Sequence, residues 1–212
     1  MFRDYCEKEI APHNAAMEAG SVSPVALMRK MAQAFGISEM VKASFEKKNR
    51  ENAMNPEASL GFGEDPYMSC IFSKELARIN PGFALSLGAS IGLCGATIMA
   101  RGTPEQKRKF GLPVLTFEKV GCWGMTEPES GSDAYALKTT AVPDGNFYVL
   151  NGSKSLITNA PAADILVIYA KIDRGGDTRK DKRLIFPFVM EKGTPGLSVG
   201  KPMETMGMRT SP

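Results

Sequence analysis

The sequence predicts an α+β protein in which a helical domain, residues 1–117, precedes a small antiparallel β domain, residues 118–212. Two observations predict this division. In the first part, apolar residues recur at the spacing of amphipathic helices, whereas from about Gly121 they alternate or form short runs between turn residues. The composition, with 43% hydrophobic and 23% charged residues, is that of an ordinary globular protein with a buried core.

Helices are predicted where capping residues or prolines precede an apolar period. A break is expected at Pro12, because proline inside a helix removes a hydrogen bond. Ser23 followed by Pro24 is typical of an N-cap and a first helical residue. Residues 42–63 are polar and rich in Asn and Glu, so we predict a long loop there. The predicted helices are residues 3–19, 24–35, 66–79, 83–100 and a last one that begins at Pro104.

The segment 83–100 contains no charged residue and just reaches the length of a membrane span. Its glycines, serines and threonine, however, make one side small and weakly polar, and no aromatic belt flanks it. We therefore interpret it as a helix packed among other helices, with small residues that permit close approach, and expect no membrane span.

In the second part, short apolar runs predict strands at residues 148–150, 165–169, 184–186 and 188–190. Clusters of Pro, Gly, Asn and Asp predict the turns between them, at residues 143–146, 151–152, 175–176 and 195–196. Short strands separated by such turns are typical of a small antiparallel sheet.

The composition also excludes several kinds of function. A net charge of +3 is too small to indicate nucleic acid or an anionic membrane as a partner. His13 is the only histidine, which excludes His-based metal sites and Ser–His catalysis, so no metal is expected. The hydrolase-like pattern G-x-S-x-G at residues 88–92 lies inside a predicted helix and is a false match. The four cysteines are widely spaced, which favours free thiols in a reducing, cytoplasmic compartment.

Two segments of the β domain carry polar groups suited to a ligand. Residues 124–133 (GMTEPESGSD) predict a strand end followed by a turn that exposes backbone N–H groups and hydroxyls. Residues 151–160 (NGSKSLITNA) predict a hairpin turn leading into a strand that ends in another hydroxyl. The residues alone leave two interpretations open, which are the polar rim of a site for a flat heterocycle and a pair of ordinary hairpins.

These two segments resemble signatures of the acyl-CoA dehydrogenase family. Residues 126–133 match T-E-P-x-x-G-S-D, and residues 151–159 match N-G-x-K-x-x-I-T-N at the proper distance. Three further matches occur in the family's order, at residues 75–82, 102–107 and 206–211. The resemblance thus spans nearly the whole chain. It implies the family's fold, with a barrel-like β domain that is incomplete here, and FAD as the cofactor.

The resemblance also implies a set of site residues. Thr126 is expected to bond the pyrimidine edge of the flavin, Ser132 to serve both the flavin and the acyl thioester as a substrate-binding residue, and Thr158 to bond near flavin N5. Leu156 stands where the family often has tryptophan, so it can shield the ring but cannot stack on it. Glu127 is expected to brace the turn rather than to act as an acid. The cofactor-binding residues are then Trp123, Gly124, Met125, Thr126, Ser132, Leu156, Ile157 and Thr158.

The reaction of the family is α,β-dehydrogenation of an acyl-CoA thioester, in which a carboxylate takes the α-proton and the flavin takes the β-hydride. The base is expected in a C-terminal helical domain beyond Pro212. We therefore assign no catalytic residue here and expect the 212-residue chain alone to be inactive. The resemblance further implies electron-transfer flavoprotein or a similar acceptor, a homo-oligomer in the complete protein, and the mitochondrial matrix if the source is eukaryotic.

Two alternatives remain open at this point. The first is a non-catalytic, truncated subunit that binds flavin or acyl-CoA only together with a partner chain. The second is an acyl-CoA oxidase or a carrier-protein-linked acyl dehydrogenase of the same fold.

Overall fold

The computed structural model describes residues 1–50, 66–173 and 185–212. Helices extend to Leu115 and strands begin at Gly121, which confirms the predicted order of a helical region and a sheet. The predicted boundary after Phe117 falls between them, and the division into domains stays a prediction. The α-helices are α1 (Phe2–Tyr5), α2 (Asn14–Glu18), α3 (Pro24–Ala34), α4 (Ile37–Arg50), α5 (Pro66–Ile79), α6 (Pro81–Leu87), α7 (Ala96–Arg101), α8 (Pro104–Gln106) and α9 (Leu112–Leu115).

The first helical stretch, residues 2–18, changes its type three times. A π-helical turn, Cys6–Ile10, and a 3₁₀ turn, Ala11–His13, join α1 to α2. Pro12 lies in the 3₁₀ turn, where its missing N–H removes no regular α-helical hydrogen bond. The break predicted at Pro12 is therefore confirmed as a change of helix type.

Side-chain caps begin three of the helices, at Ser23 and Thr103 as the sequence predicts and also at Asn80, two residues before the predicted start of the long helix. The Ser23 hydroxyl accepts a hydrogen bond from the Val25 amide at 3.3 Å, which starts α3. The Asn80 side chain accepts from the Phe83 amide at 2.8 Å and starts α6. At α8, Thr103 and Gln106 cap each other's backbone amides reciprocally. These side chains satisfy amides that the helices themselves leave without partners.

Helix α4 contradicts the loop predicted for residues 42–63, because residues 42–50 continue the helix that begins at Ile37. Ile37, Val41 and Phe45 recur every four residues and are all buried. This narrow apolar face packs the helix onto the core although most of its other residues are polar. The rest of the predicted loop, residues 51–63, lies outside the described part of the chain.

Helices α6 and α7 are joined by a π-helical stretch, Gly88–Gly95, into one helix of 21 residues, Pro81–Arg101. Within residues 1–50, 66–173 and 185–212, it is the one helix long and apolar enough to cross a membrane. Half of its most apolar stretch is buried inside the protein. A Cβ atom at Gly95 would lie 2.9 Å from the Leu115 side chain. The predicted close approach at a small residue is therefore confirmed.

The sheet is mixed, and the prediction of a purely antiparallel sheet was wrong. Strand β4 pairs antiparallel with β5, and β2 pairs antiparallel with β3, but β4 runs parallel to both β1 and β2. In the described residues the sheet is not closed. Turn residues located the β2–β3 hairpin at Gly145, whereas no local signal indicates the pairing of β1 with β4 across a long connection. The strands are β1 (Gly121–Gly124), β2 (Thr140–Asp144), β3 (Phe147–Asn151), β4 (Ile165–Ile172) and β5 (Ile185–Glu191).

Strand β5 unites the two short runs that the sequence predicts at residues 184–186 and 188–190. It continues through Pro187, which lies opposite Tyr169 of β4. Among the described strands, β5 pairs with β4 alone, and an edge strand is where a sheet tolerates proline. Leu184 and the turn predicted at residues 175–176 lie outside the described residues.

The helices and the sheet share one core where they meet. Cys94, Ile98 and Val114 of the helical region pack with Ile165 and Val167 of β4. At the same junction, the backbone amide of Gly121, the first residue of β1, donates a hydrogen bond of 2.9 Å to the hydroxyl of Ser90 in the middle of the long helix. The start of β1 is therefore held at the junction of the two regions.

All four cysteines are free, as their spacing predicts. Cys6, Cys94 and Cys122 are buried, and Cys70 is exposed. Burial raises the pKa of the Cys122 thiol to about 12 and that of Cys6 to about 11. Both thiols are therefore protonated at neutral pH and serve as small apolar groups in the core.

Candidate functional site

The first predicted segment begins where β1 ends against β4. A Cβ atom at Gly124 would lie 2.7 Å from Cδ1 of Ile168, so a larger residue there would require the Ile168 side chain to shift. The next two residues, Met125 and Thr126, are half-buried. Among the described residues, the Thr126 hydroxyl has no hydrogen-bond partner, which leaves it available to a ligand.

The turn predicted after Thr126 is present. Glu127 and Ser130 exchange backbone hydrogen bonds of 2.9 and 3.2 Å, and the Ser130 hydroxyl donates to the carbonyl oxygen of Asp133 at 2.7 Å. The Asp133 carboxylate in turn accepts from the Tyr135 amide at 3.2 Å. Ser132, at the tip of this turn, is exposed, and its hydroxyl has no partner in the described structure.

The second predicted segment does not form the expected hairpin and strand. Strand β3 ends at Asn151, and residues 152–159 follow without strand structure. Leu156 and Asn159 adopt left-handed backbone conformations, with φ of 57° and 70°, which an extended strand excludes. The segment instead lies against the first one, because the Ser155 amide donates to the carbonyl oxygen of Thr126 at 3.0 Å.

A buried ion pair also joins the two segments. The Lys154 ammonium donates to the Glu127 carboxylate at 2.7 Å and to the carbonyl oxygen of Met125 at 3.0 Å. Glu127 additionally accepts from the Lys138 amide at 2.5 Å, from the Thr139 amide at 3.0 Å and from the Thr139 hydroxyl. Glu127 is therefore the brace of this turn, as the sequence indicates.

The surroundings of the pair set its ionisation. Burial alone would raise the pKa of Glu127, but hydrogen bonds from Lys154, Thr139 and two backbone amides outweigh it and hold the pKa at about 2. Burial lowers the pKa of Lys154, while the Glu127 carboxylate opposes that change. The Glu127 carboxylate is therefore charged at neutral pH and is a poor proton acceptor.

Leu156, Ile157 and Thr158 follow this brace. The Leu156 side chain is 69% exposed, and its backbone has a φ of 57°, a strained conformation of the kind that clusters at functional sites. Ile157 and Thr158 are half-buried. The Thr158 hydroxyl accepts a hydrogen bond from the Ser211 hydroxyl at 3.1 Å, so its own hydrogen remains available for donation.

Asn159 is a structural residue that the sequence reasoning did not single out. It is 1% exposed, and its amide group donates to the carbonyl oxygens of Ser86 at 2.7 Å and Gly121 at 3.2 Å. Its side-chain oxygen accepts from the Ser86 hydroxyl. Asn159 thus connects the long helix and β1 to the segment that carries Thr158. The sequence feature that could have identified this role is an asparagine, a residue type enriched in left-handed conformations, directly before Ala160 and Pro161.

The side chain of Trp123 points to the helical region. Its indole N–H donates to the Thr97 hydroxyl at 3.2 Å, and its ring lies edge-to-face with Tyr169 at 5.1 Å between centroids. The indole is therefore engaged at the junction of the helical region and the sheet. In the described residues, no group of three or more His, Cys, Asp or Glu side chains could hold a metal ion.

The two segments, residues 124–133 and 151–160, lie side by side. Thr126, Ser132 and Thr158 offer hydroxyls, while Leu156 offers an exposed apolar side chain. The Ser155–Thr126 hydrogen bond and the Lys154–Glu127 pair hold the segments side by side. Hydroxyls can bind the polar edge of a flat heterocycle, and an exposed apolar side chain can cover its face.

Comparison with known families identifies the class to which this fold and surface belong. The model of the acyl-CoA dehydrogenase N-terminal domain matches residues 49–118, and that of the acyl-CoA dehydrogenase middle domain matches residues 122–212. The chain belongs to the acyl-CoA dehydrogenase family.

Individual relatives agree with this assignment. The short-chain specific acyl-CoA dehydrogenase of Clostridium acetobutylicum is 36% identical over 211 residues, which cover 100% of this chain and 51% of the relative. The solved acyl-CoA dehydrogenase of Bacillus anthracis complexed with FAD superposes with a TM-score of 0.79 at 29% identity, over 99% of this chain and 33% of that one. A chain in the structure of the electron transferring flavoprotein of Acidaminococcus fermentans superposes with a TM-score of 0.75 at 32% identity, over 99% of this chain and 50% of that one. The chain spans about half the length of the curated relative from Clostridium.

Proposed function

We propose that this chain forms the flavin-facing and thioester-facing part of an FAD-dependent acyl-CoA dehydrogenase, an oxidoreductase that introduces an α,β double bond into an acyl-CoA. The observation that carries the proposal is the 3.0 Å hydrogen bond from the Ser155 amide to the Thr126 carbonyl oxygen. It holds the two family segments, residues 124–133 and 151–160, side by side. The short-chain specificity of the Clostridium relative makes short-chain acyl-CoA the first substrate class to test.

The residues present fit the flavin. The half-buried Thr126 hydroxyl has no protein partner among the described residues, and a polar group in that position is suited to the pyrimidine edge of the ring. The Thr158 hydroxyl donates toward the ring, and the exposed Leu156 covers its face. Backbone groups of Trp123, Gly124 and Met125 and the side chain of Ile157 complete the proposed contact. The FAD complex of the Bacillus anthracis neighbour supports FAD as the cofactor.

FAD, when bound, supplies the hydride acceptor of the reaction. The chain's own residues bind the flavin and the thioester and orient them. Ser132, exposed at the tip of its turn, donates to the thioester carbonyl and polarises it, while Leu156 keeps water from the ring. Glu127 does not serve as the base, since Lys154 and Thr139 occupy its carboxylate and its pKa is about 2.

The partners follow from the same proposal. Acyl-CoA is the substrate, and an electron-transferring flavoprotein is the acceptor, which the neighbour from Acidaminococcus fermentans supports. We further propose a homo-oligomer and a cytoplasmic location, or the mitochondrial matrix if the source is eukaryotic. The free state of the four cysteines supports a reducing compartment.

Titration of the protein with FAD, followed by flavin fluorescence, tests the proposal. Thr126→Val keeps the shape of the side chain and removes its hydroxyl, so FAD binding should weaken by about 1–3 kcal/mol. Thr140→Val is the matched control, because Thr140 is also half-buried, but alternation along β2 directs it away from the face that Thr139 shares with Glu127. Equal FAD affinity of the two variants would contradict the placement of Thr126.

Substrate binding is tested in the same preparation. Addition of a short-chain acyl-CoA should perturb the absorption spectrum of the bound flavin, and Ser132→Ala should weaken this response. A response to an acyl carrier protein thioester, but to no acyl-CoA, would identify the carrier-protein-linked alternative instead.

A further inference from the structure

The segment that follows Met208 is clamped onto the helical region by a single carboxylate. Glu18, the last residue of α2, accepts hydrogen bonds from the Arg209 amide at 2.9 Å, the Thr210 amide at 3.2 Å and the Thr210 hydroxyl at 2.6 Å. The Asn80 amide group donates to the same hydroxyl at 3.0 Å. Thr210 is 1% exposed, so this clamp is enclosed by protein.

Close packing also fixes the clamped segment. A Cβ atom at Gly82, in the first turn of α6, would lie 3.1 Å from the carbonyl oxygen of Met208 and 3.1 Å from Cβ of Thr210. The backbone of residues 208–210 therefore has little room to shift while the clamp is intact.

The two residues after the clamp reach the proposed flavin surface. The Ser211 hydroxyl donates to the Thr158 hydroxyl at 3.1 Å. The carbonyl oxygen of Pro212 accepts from the Asn159 amide at 2.5 Å. A continuous path of contacts thus runs from Glu18 through Thr210 and Ser211 to Thr158.

We propose that Ser211 is a positioning residue for Thr158, and that Glu18 sets the position of Ser211 by clamping the Arg209–Thr210 backbone. Ser211 occupies the acceptor side of the Thr158 hydroxyl, which leaves the Thr158 hydrogen directed away from Ser211 and toward the flavin. This role rests on the function proposed above. Helix α2, remote in sequence from both family segments, thereby contributes to the geometry of the cofactor site.

Anchoring of the chain alone does not require the Ser211 contact. Glu18, Asn80 and Thr210 already satisfy one another, and the Asn159 amide already holds Pro212. The Ser211 and Thr158 hydroxyls are only half-buried, so water could replace either partner if nothing depended on their orientation. What the contact adds is the orientation of Thr158.

The first test needs no flavin. Couplings to the γ-methyl group of Thr158, measured by NMR on the flavin-free protein, should show one χ1 rotamer in the unaltered chain and rotamer averaging in Ser211→Ala. Ser211→Thr retains the hydroxyl and should restore the single rotamer. Ser198→Ala, at an exposed serine without a hydrogen bond among the described residues, should change nothing. A single Thr158 rotamer in Ser211→Ala would overturn the proposal.

The role of Glu18 is tested in the same way. Glu18→Gln leaves one acceptor oxygen and places an amide, which cannot accept, against the backbone N–H groups of residues 209–210. Rotamer averaging at Thr158 is therefore expected, whereas Glu105→Gln, at an exposed carboxylate without an ion pair in the described structure, should leave the couplings unchanged. Thermal melting of every variant monitors whether the fold persists. Unchanged couplings in a folded Glu18→Gln protein would remove Glu18 from the proposal.

The second test uses FAD. Ser211→Ala should weaken FAD binding by about 2- to 10-fold, the range expected for one neutral hydrogen bond. In a Thr158→Val background the same change should have no further effect, because Ser211 acts through Thr158. Additive effects in this double-mutant cycle would show a merely structural role and overturn the proposal. If the unaltered protein bound no FAD, the function proposed above would fail, while the NMR couplings would still decide whether Ser211 orients Thr158.

Discussion

The Lys154 ammonium lies 2.7 Å from the Glu127 carboxylate and 3.0 Å from the carbonyl oxygen of Met125, so one side chain ties the two family segments together. The side chains of Lys154 and Glu127 are only 10% and 6% exposed. Removal of either partner would therefore leave the other as a buried charge. The pair is a structural requirement of the site, not part of its chemistry.

Lys154→Met should destabilise the protein by about 3–5 kcal/mol, because it leaves the Glu127 carboxylate buried and unpaired. Urea unfolding monitored by circular dichroism measures the change. Lys138→Met is the matched control, since Lys138 pairs with Glu129 where both side chains are about 70% exposed (72% and 68%), and should leave the unfolding midpoint unchanged. Similar effects of the two changes would contradict the special role of the buried pair.

The stabilisation by Glu127 should be lost in acid. Its pKa in the folded protein is about 2, below the ordinary value of 4.5, so its contribution is complete above pH 4.5 and disappears as the pH falls through 2. The difference in unfolding free energy between the unaltered protein and Glu127→Gln should therefore shrink between pH 4.5 and pH 2. Other carboxylates are common to both proteins and cancel in this difference. A difference that stays constant over the window would show that Glu127 is not stabilised as its contacts indicate.

The helices could largely be predicted because their signals are local. Ser23 and Thr103 cap the helices that follow them, and proline marks the first residue of several helices. Helix α4 was missed because its fold depends on a narrow face, Ile37, Val41 and Phe45, whose burial against other helices outweighs a polar local composition. The parallel pairing of β1 with β4 was missed for the related reason that its partners are distant in sequence.

The candidate site could be predicted as two segments but not as a geometry. The hairpin and strand expected at residues 151–160 are absent, since Leu156 and Asn159 take left-handed conformations. Partners remote in sequence, Ser86 and Gly121, hold Asn159 in that conformation. The clamp of Glu18 on Thr210 likewise joins opposite ends of the chain and has no local signature.

Replacement of Asn159 should separate backbone strain from lost hydrogen bonds. Asn159→Gly removes the bonds to Ser86 and Gly121 but tolerates a φ of 70°, whereas Asn159→Ala loses the same bonds and adds strain. Both should destabilise the protein, and alanine should do so by about 1 kcal/mol more than glycine. Urea unfolding measures both. Met208→Gly, at an exposed residue with a φ of 57°, should be neutral or slightly stabilising. An Asn159→Ala protein as stable as the unaltered one would contradict this account.

The long apolar helix should tolerate charge on its outer side alone. Leu93 is 44% exposed and Ile91 is 5% exposed, so Leu93→Lys should remain folded and soluble without detergent, whereas Ile91→Lys should unfold. Circular dichroism and sedimentation with lipid vesicles measure the two properties. Partition of the unaltered protein into vesicles that resists high salt and carbonate, and is abolished by Leu93→Lys, would show that the helix spans a membrane.

Replacement of Leu156 by tryptophan should strengthen flavin binding. Leu156 is 69% exposed, so a larger ring meets little steric hindrance, and tryptophan adopts a φ of 57° at no greater cost than leucine. If Leu156 covers the flavin, the new indole stacks on it and lowers the FAD dissociation constant by about 2- to 10-fold, the range expected for an aromatic pair.

The protein has a single tryptophan, so Leu156→Trp in a Trp123→Phe background carries one fluorophore, whose emission FAD should quench. Phe147→Trp in the same background is the control, because Phe147 is 77% exposed on the β2–β3 hairpin, outside the proposed surface. Its emission and the FAD affinity should change little. Equal quenching at both positions, or unchanged affinity in Leu156→Trp, would mean that Leu156 does not face the ring. A response at position 156 alone places the flavin against the strained segment that ends at Thr158.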